Sequence, residues 1–146
     1  MSAEVVIEQF VDTNIFVYAY DLTAGIKRSQ AKKCIKALWE DQTGCLSVQV
    51  LQELFVNITR KISNPLDSST AKQIIADLSQ RRVHIPDAED LLLAIDLSDK
   101  YQLSFWDAMI VESAISLGCK RLISEDFSHG MKFGEIQVIN PFENGN

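Results

Sequence analysis

Short apolar stretches rich in β-branched residues alternate with longer amphipathic ones along this chain, and no other feature narrows its fold as much. Val5-Val6-Ile7 through Phe10-Val11 reads as a buried first strand ending at Asp12. Thr43 to Ser47, Arg82 to Ile85, Arg121 to Ile123 and Ile136 to Ile139 read as further strands. Helices are expected over Ile15 to Tyr20 and over Ile26 to Trp39. Another follows Ser47, which can cap it, with Val50, Leu51, Leu54, Phe55 and Ile58 on its buried side until Asn64-Pro65 breaks it. Ala71, Ile74, Ile75 and Leu78 carry the helical spacing behind the capping candidates Asp67 and Ser68. Pro86-Asp87 opens a helix to about Tyr101, and Ser104 opens one to Leu117 with Gly118 as its stop. Strands separated by helices favour a parallel sheet covered on both faces. Ligands of such sheets bind outside the carboxyl ends of the strands, where strand order reverses. Asp12 and Asp126 each follow a strand closely.

The 146 residues match one compact domain, expected over 1–146, with no repeat, linker or low-complexity tract. At 47% hydrophobic and 23% charged residues the composition is that of a soluble globule. MSAEVVIEQF has neither a basic n-region nor a long apolar h-region, and no window suits a membrane span, so an intracellular, cytoplasmic protein is expected. Cys34, Cys45 and Cys119 form no close pair and read as reduced core thiols. A net charge of −6 argues against bulk electrostatic binding of nucleic acid. It leaves room for a nuclease whose acids crowd around divalent cations.

Four carboxylates stand out: Asp12 after the first strand, Glu53 in VLQELFVNITRK, Asp107 in SFWDAMIVESA and Asp126 in LISEDF. Each has an ordinary local explanation. Asp12 can cap the short helix, Glu53 can be solvated, Asp107 stands at capping-box spacing from Ser104, and Asp126 suits a turn. Together they gain weight, because a doubly wound sheet could bring them to one edge. Carboxylates about 4 Å apart repel by roughly 4 kcal/mol per pair at an effective dielectric of about 20, so they would need a cation. All-oxygen ligands suit Mg²⁺ or Mn²⁺. His84 on a strand and His129 beside Gly130 are poor evidence for zinc or a nucleophilic triad. No GxxxxGKS or GxGxxG run marks a nucleotide cradle.

FVDTNIFVYAYD is similar to the first motif of the PIN-domain family, LQELF to its glutamate motif, SFWDAMIVESA to its third and LISEDFSHG to its fourth. KFGEIQVINPF resembles an ending found in the bacterial VapC-like branch. The match runs through nearly the whole chain, and four motifs in order are specific where one alone is weak. The resemblance implies a three-layer α/β/α domain whose mainly parallel twisted sheet has four to five strands. It further implies a metal-dependent endoribonuclease, often the toxin of a toxin–antitoxin pair and commonly a homodimer. By position, Asp12, Glu53, Asp107 and Asp126 would be the catalytic, metal-binding acids, with Asn14 and Ser124 as supporting or substrate-contacting groups. A metal-activated water would cut RNA to leave a 5′-phosphate and a 3′-hydroxyl. An acidic pocket also suits an inhibitor that inserts an arginine.

RNA reaching an acidic site needs basic groups nearby. Arg28, Lys32 and Lys36, four apart on one helix, and Arg60 with Lys61 are the candidates; a solvated helix face is the ordinary reading of such a stripe. Two rival functions stay open. One is a PIN nuclease or RNA-binding module of RNA processing or decay without an antitoxin. The other is a haloacid-dehalogenase-like phosphatase, which wants a second Asp where this chain has Asn14.

Overall fold

A computed structural model describes residues 7–143. The expected first strand therefore appears as β1 (Gln9–Val11), Val5 and Val6 lying outside the described residues. In chain order follow α1 (Thr13–Tyr20), α2 (Ile26–Glu40), β2 (Gly44–Ser47), α3 (Val48–Val56), α4 (Ser68–Leu78), β3 (Arg82–His84), α5 (Ala88–Tyr101), α6 (Phe105–Ser116), β4 (Arg121–Ile123), β5 (Lys132–Phe133) and β6 (Ile136–Ile139). A π-helical turn, Asn57–Lys61, prolongs α3.

The strands lie in the order β3-β2-β1-β4-β6-β5. All pair in parallel except β5, which runs antiparallel to β6 at the edge. The sheet thus has six strands rather than four to five, the addition being this two-residue edge strand. The chain steps outward from β1 to β2 and β3, then returns across the sheet to β4. Right-handed crossovers place α1 to α4 on one face and, because the return runs the other way, α5 and α6 on the opposite face. Strand order reverses between β1 and β4, which makes their carboxyl ends the switch point.

The expected signals explain these elements. Asp12, Ser47, Asp67, Asp87 and Ser104 each accept a backbone N–H at the start of a helix, and Asp87 with Asp90 closes a full capping box. Gly118, at φ +72°, follows the last turn of α6 as anticipated. Gly44 matters for space: a methyl group there would stand 2.1 Å from the Trp39 ring. The core is built from Phe10 and Val11 of β1, Ile15 and Phe16 of α1, Leu46, Val50, Leu54 and Leu122, all essentially inaccessible. Cys45 and Cys119 are buried free thiols, and Cys34 is a half-buried one. Helix α6 is buried on nearly every side from Ala108 to Ala114, a run that includes Glu112. No helix among the described residues is long and apolar enough to cross a membrane.

Candidate active site

Asp12, Glu53, Asp107 and Asp126 line one cavity of about 110 Å³, together with Thr13, Asn14, Gln49 and Trp106. It opens at the switch point. Asp12 follows β1 directly, Asp126 lies three residues beyond β4, Glu53 is on α3, and Asp107 is in the first turn of α6. Stretches far apart in sequence thus meet at one edge of the sheet.

Asp12 is 4% exposed. Its backbone N–H extends the sheet to the Ile123 carbonyl at 2.9 Å. One carboxylate oxygen accepts the Thr13 N–H at 2.7 Å, and the other accepts the Ser124 hydroxyl at 2.8 Å. Cap and cavity wall are therefore the same side chain. Burial lifts the Asp12 carboxyl from 3.8 to about 7; the Asp126 and Glu53 charges push the same way, while the Ser124 and Thr13 donors oppose them. Asp107 is also raised, first by burial and then by the Asp126 charge, with the Ser104 hydroxyl pulling down.

Ser124 and Asn14, the two polar residues expected beside the acids, both hydrogen-bond to them. Ser124, fully buried, donates to Asp12 and accepts the Asp126 N–H at 3.0 Å, so a single hydroxyl links two of the acids. Asn14 Nδ2 donates to Asp126 Oδ1 at 3.3 Å. Two further residues had no signal of their own in the sequence. Thr13 Oγ1 donates to Glu53 Oε1 at 2.9 Å, and Gln49, one turn before Glu53 on α3, reaches the same oxygen at 3.4 Å and the Trp106 carbonyl at 3.2 Å. The buried Gln49 Oε1 is left without a hydrogen-bond partner. Trp106, 64% exposed, stands at the rim.

Among the described residues, no three of the four acids bring oxygens within 4.8 Å of one another. A cation held by all four would therefore be reached in part through water, as Mg²⁺ and Mn²⁺ allow by keeping several waters. The donor set is all oxygen, which also fits these ions. None of Arg28, Lys32, Lys36, Arg60 and Lys61 lines the acidic cavity. Lys32 and Lys36 instead border a separate groove of about 640 Å³ with Trp39 and Arg81, and Arg60 and Lys61 are exposed beyond α3.

A mainly parallel sheet with carboxylates gathered at its switch point defines a class of α/β protein with an acidic site. Residues 10–129 match the PIN domain model, and the chain belongs to the PIN-domain family. Solved structures share the fold. A toxin–antitoxin complex from Klebsiella pneumoniae aligns at a TM-score of 0.68 and 22% identity, covering 93% of this chain and 99% of the other. VapC20 of Mycobacterium tuberculosis, described as a sarcin-ricin loop cleaving toxin, aligns at 0.65 and 21%, covering 89% and 99%. VapBC2 of Rickettsia felis, bound to a DNA fragment from its promoter, aligns at 0.64 and 17%, covering 90% and 97%. No curated protein matches the chain in sequence.

Proposed function

We propose that this chain is a divalent-metal-dependent endoribonuclease of the VapC type, the toxin of a toxin–antitoxin pair. The observation that carries this reading is the meeting of four acids from separate elements in one cavity at the switch point. The Klebsiella, Mycobacterium and Rickettsia structures of the same fold support it.

Asp12, Asp107 and Asp126 would hold the principal Mg²⁺ or Mn²⁺, and Glu53 would complete the site directly or through water. When bound, such an ion supplies a water of lowered pKa and neutralises charge on the phosphoryl oxygens. The protein's part is orientation. Ser124 and the Thr13 N–H aim both oxygens of Asp12, Asn14 steadies Asp126, and Thr13 with Gln49 fixes Glu53. No side chain acts as a covalent nucleophile, and hydrolysis leaves a 5′-phosphate and a 3′-hydroxyl. At about 110 Å³ the cavity suits an ion and a phosphate group rather than a drug-sized ligand, for which roughly 300 Å³ is the lower limit. The exposed Trp106 ring offers an unstacked base a stacking surface at the rim. Arg28, Lys32, Lys36, Arg60 and Lys61 would contact RNA phosphates away from the cut.

An antitoxin arginine entering the carboxylates would block the site, its guanidinium pairing where the cation belongs. A homodimer would cover Leu91, Leu92 and Ile95, which share one exposed side of α5. Light scattering that returns the mass of a single chain at micromolar concentration would exclude it.

The decisive experiment incubates total cellular RNA with the protein, with and without Mn²⁺, and maps the ends by sequencing. We expect discrete cuts that require the ion and are abolished in Asp12→Asn. RNA left intact by the parent, or cut equally well by the variant, overturns the assignment.

A further inference from the structure

Glu112 lies in the buried run of α6 and is only 1% exposed. Carboxylates are buried at considerable cost unless they find partners. Its Oε1 accepts the Ser116 hydroxyl at 2.7 Å, but its Oε2 is buried with no hydrogen-bond partner. Among the described residues, no lysine or arginine forms an ion pair with it. The nearby charges are negative: beyond the larger effect of burial, and against the Ser116 hydrogen bond, Asp90 raises its proton affinity both by its charge and by lying close enough to share a proton with it, and Asp87 raises it by its charge.

The third side chain here is His84, the last residue of the edge strand β3. Its Nε2 is 3.2 Å from Asp90 Oδ2. Its Nδ1 is paired with the hydroxyl of the buried Ser113 at 2.8 Å. One ligand atom each from His84, Asp90 and Glu112 lies within 4.8 Å of the other two. Imidazoles that bind metals characteristically have their second nitrogen hydrogen-bonded, which orients the ring; the Ser113 hydroxyl can do so by accepting the Nδ1 proton and leaving Nε2 free to bind.

We propose that His84, Asp90 and Glu112 form a second cation site, separate from the acidic cavity, that takes Zn²⁺ through one imidazole nitrogen and two carboxylates. The mixed nitrogen and oxygen set suits zinc, whereas the all-oxygen cavity suits Mg²⁺ or Mn²⁺. Tetrahedral ligands at about 2.1 Å from zinc stand about 3.4 Å apart, close to the separation already present between His84 and Asp90. The free Oε2 of Glu112 gains its missing partner. His84 and Asp90 side chains are 11% and 17% exposed, which leaves the ion a path from solvent. Bound there, zinc would tie β3 to α5 and α6, the return crossover that also carries Asp107.

The test uses full-length protein stripped with EDTA and given zinc chloride, in the parent and in D12N/D126N, which disarms the acidic cavity. Zinc retained after gel filtration is measured by mass spectrometry, and melting temperature by calorimetry. We expect both proteins to keep one equivalent of zinc and to melt higher with it. H84Q and E112Q should each lose both effects; E112Q, relieved of a buried charge, should melt at or above the EDTA-treated parent. The proposal is overturned if neither protein retains zinc, which would leave a proton on this cluster instead. It is overturned as well if D12N/D126N loses the metal, or if H84Q and E112Q keep it. Because no readout is RNA cleavage, the result does not depend on the nuclease assignment.

Discussion

At Asp12 the backbone turns from β1 into α1, and the same carboxylate caps the helix, closes the cavity and sits out of water. Its raised proton affinity gives a pH dependence with a definite sign. Unfolded, the group loses its proton near 3.8; folded, it keeps it to about 7. Between those values the folded chain holds more protons, so stability falls as pH rises. The penalty is absent below the lower value and complete above the upper one. Glu112, lifted from 4.5 to about 7, adds in the same direction. In calorimetry of EDTA-treated protein, melting temperature should therefore fall from about pH 5 to about pH 8. Asp12→Asn should fall less and melt above the parent at the alkaline end. A variant melting below the parent there would show that ionised Asp12 stabilises the fold. A saturating divalent cation should reverse much of the parent's loss, since it binds the folded state alone.

At the scale of elements, the strands with β-branched or apolar runs were legible, as was each helix with a side-chain cap. Helix α1 starts at Thr13, two residues ahead of its apolar run, because Asp12 rather than the hydrophobic pattern sets the start. The strand β5 was not legible: Lys132 and Phe133 have no period, and only pairing to Gln137 and Ile136 makes them a strand. The acids were found through their motifs. Thr13 and Gln49 were missed because a hydroxyl and an amide look like ordinary surface polarity until α1 and α3 face each other. His84, Asp90 and Glu112 gave no pattern either, since three separate elements supply them. Packing between elements yields a prediction at Gly44, where the Trp39 ring occupies the space of a side chain. Gly44→Ala must displace that ring and should cost about 1–3 kcal/mol, as overpacking typically does. Urea unfolding followed by tryptophan fluorescence would check it, and an unchanged midpoint would show that α2 yields freely.

Over the whole molecule, the charge of −6 and the acidic cavity would oppose the polyanionic substrate proposed above, so the proposed cleavage should be sensitive to ionic conditions. The topology gives the carboxylates a different kind of protection. Strand β1 is flanked by β2 and β4, and Phe10 and Val11 are wholly inaccessible. Local opening begins at edges and poorly packed ends, and only global unfolding releases such a central strand. Amide hydrogens of Val11 and Asp12 should thus exchange with deuterium among the slowest in the chain, and those of β3 and β5 sooner. Fraying of the sheet's margins would leave Asp12 and Ser124 in register, so the centre of the site should be among the last parts of the molecule to come apart.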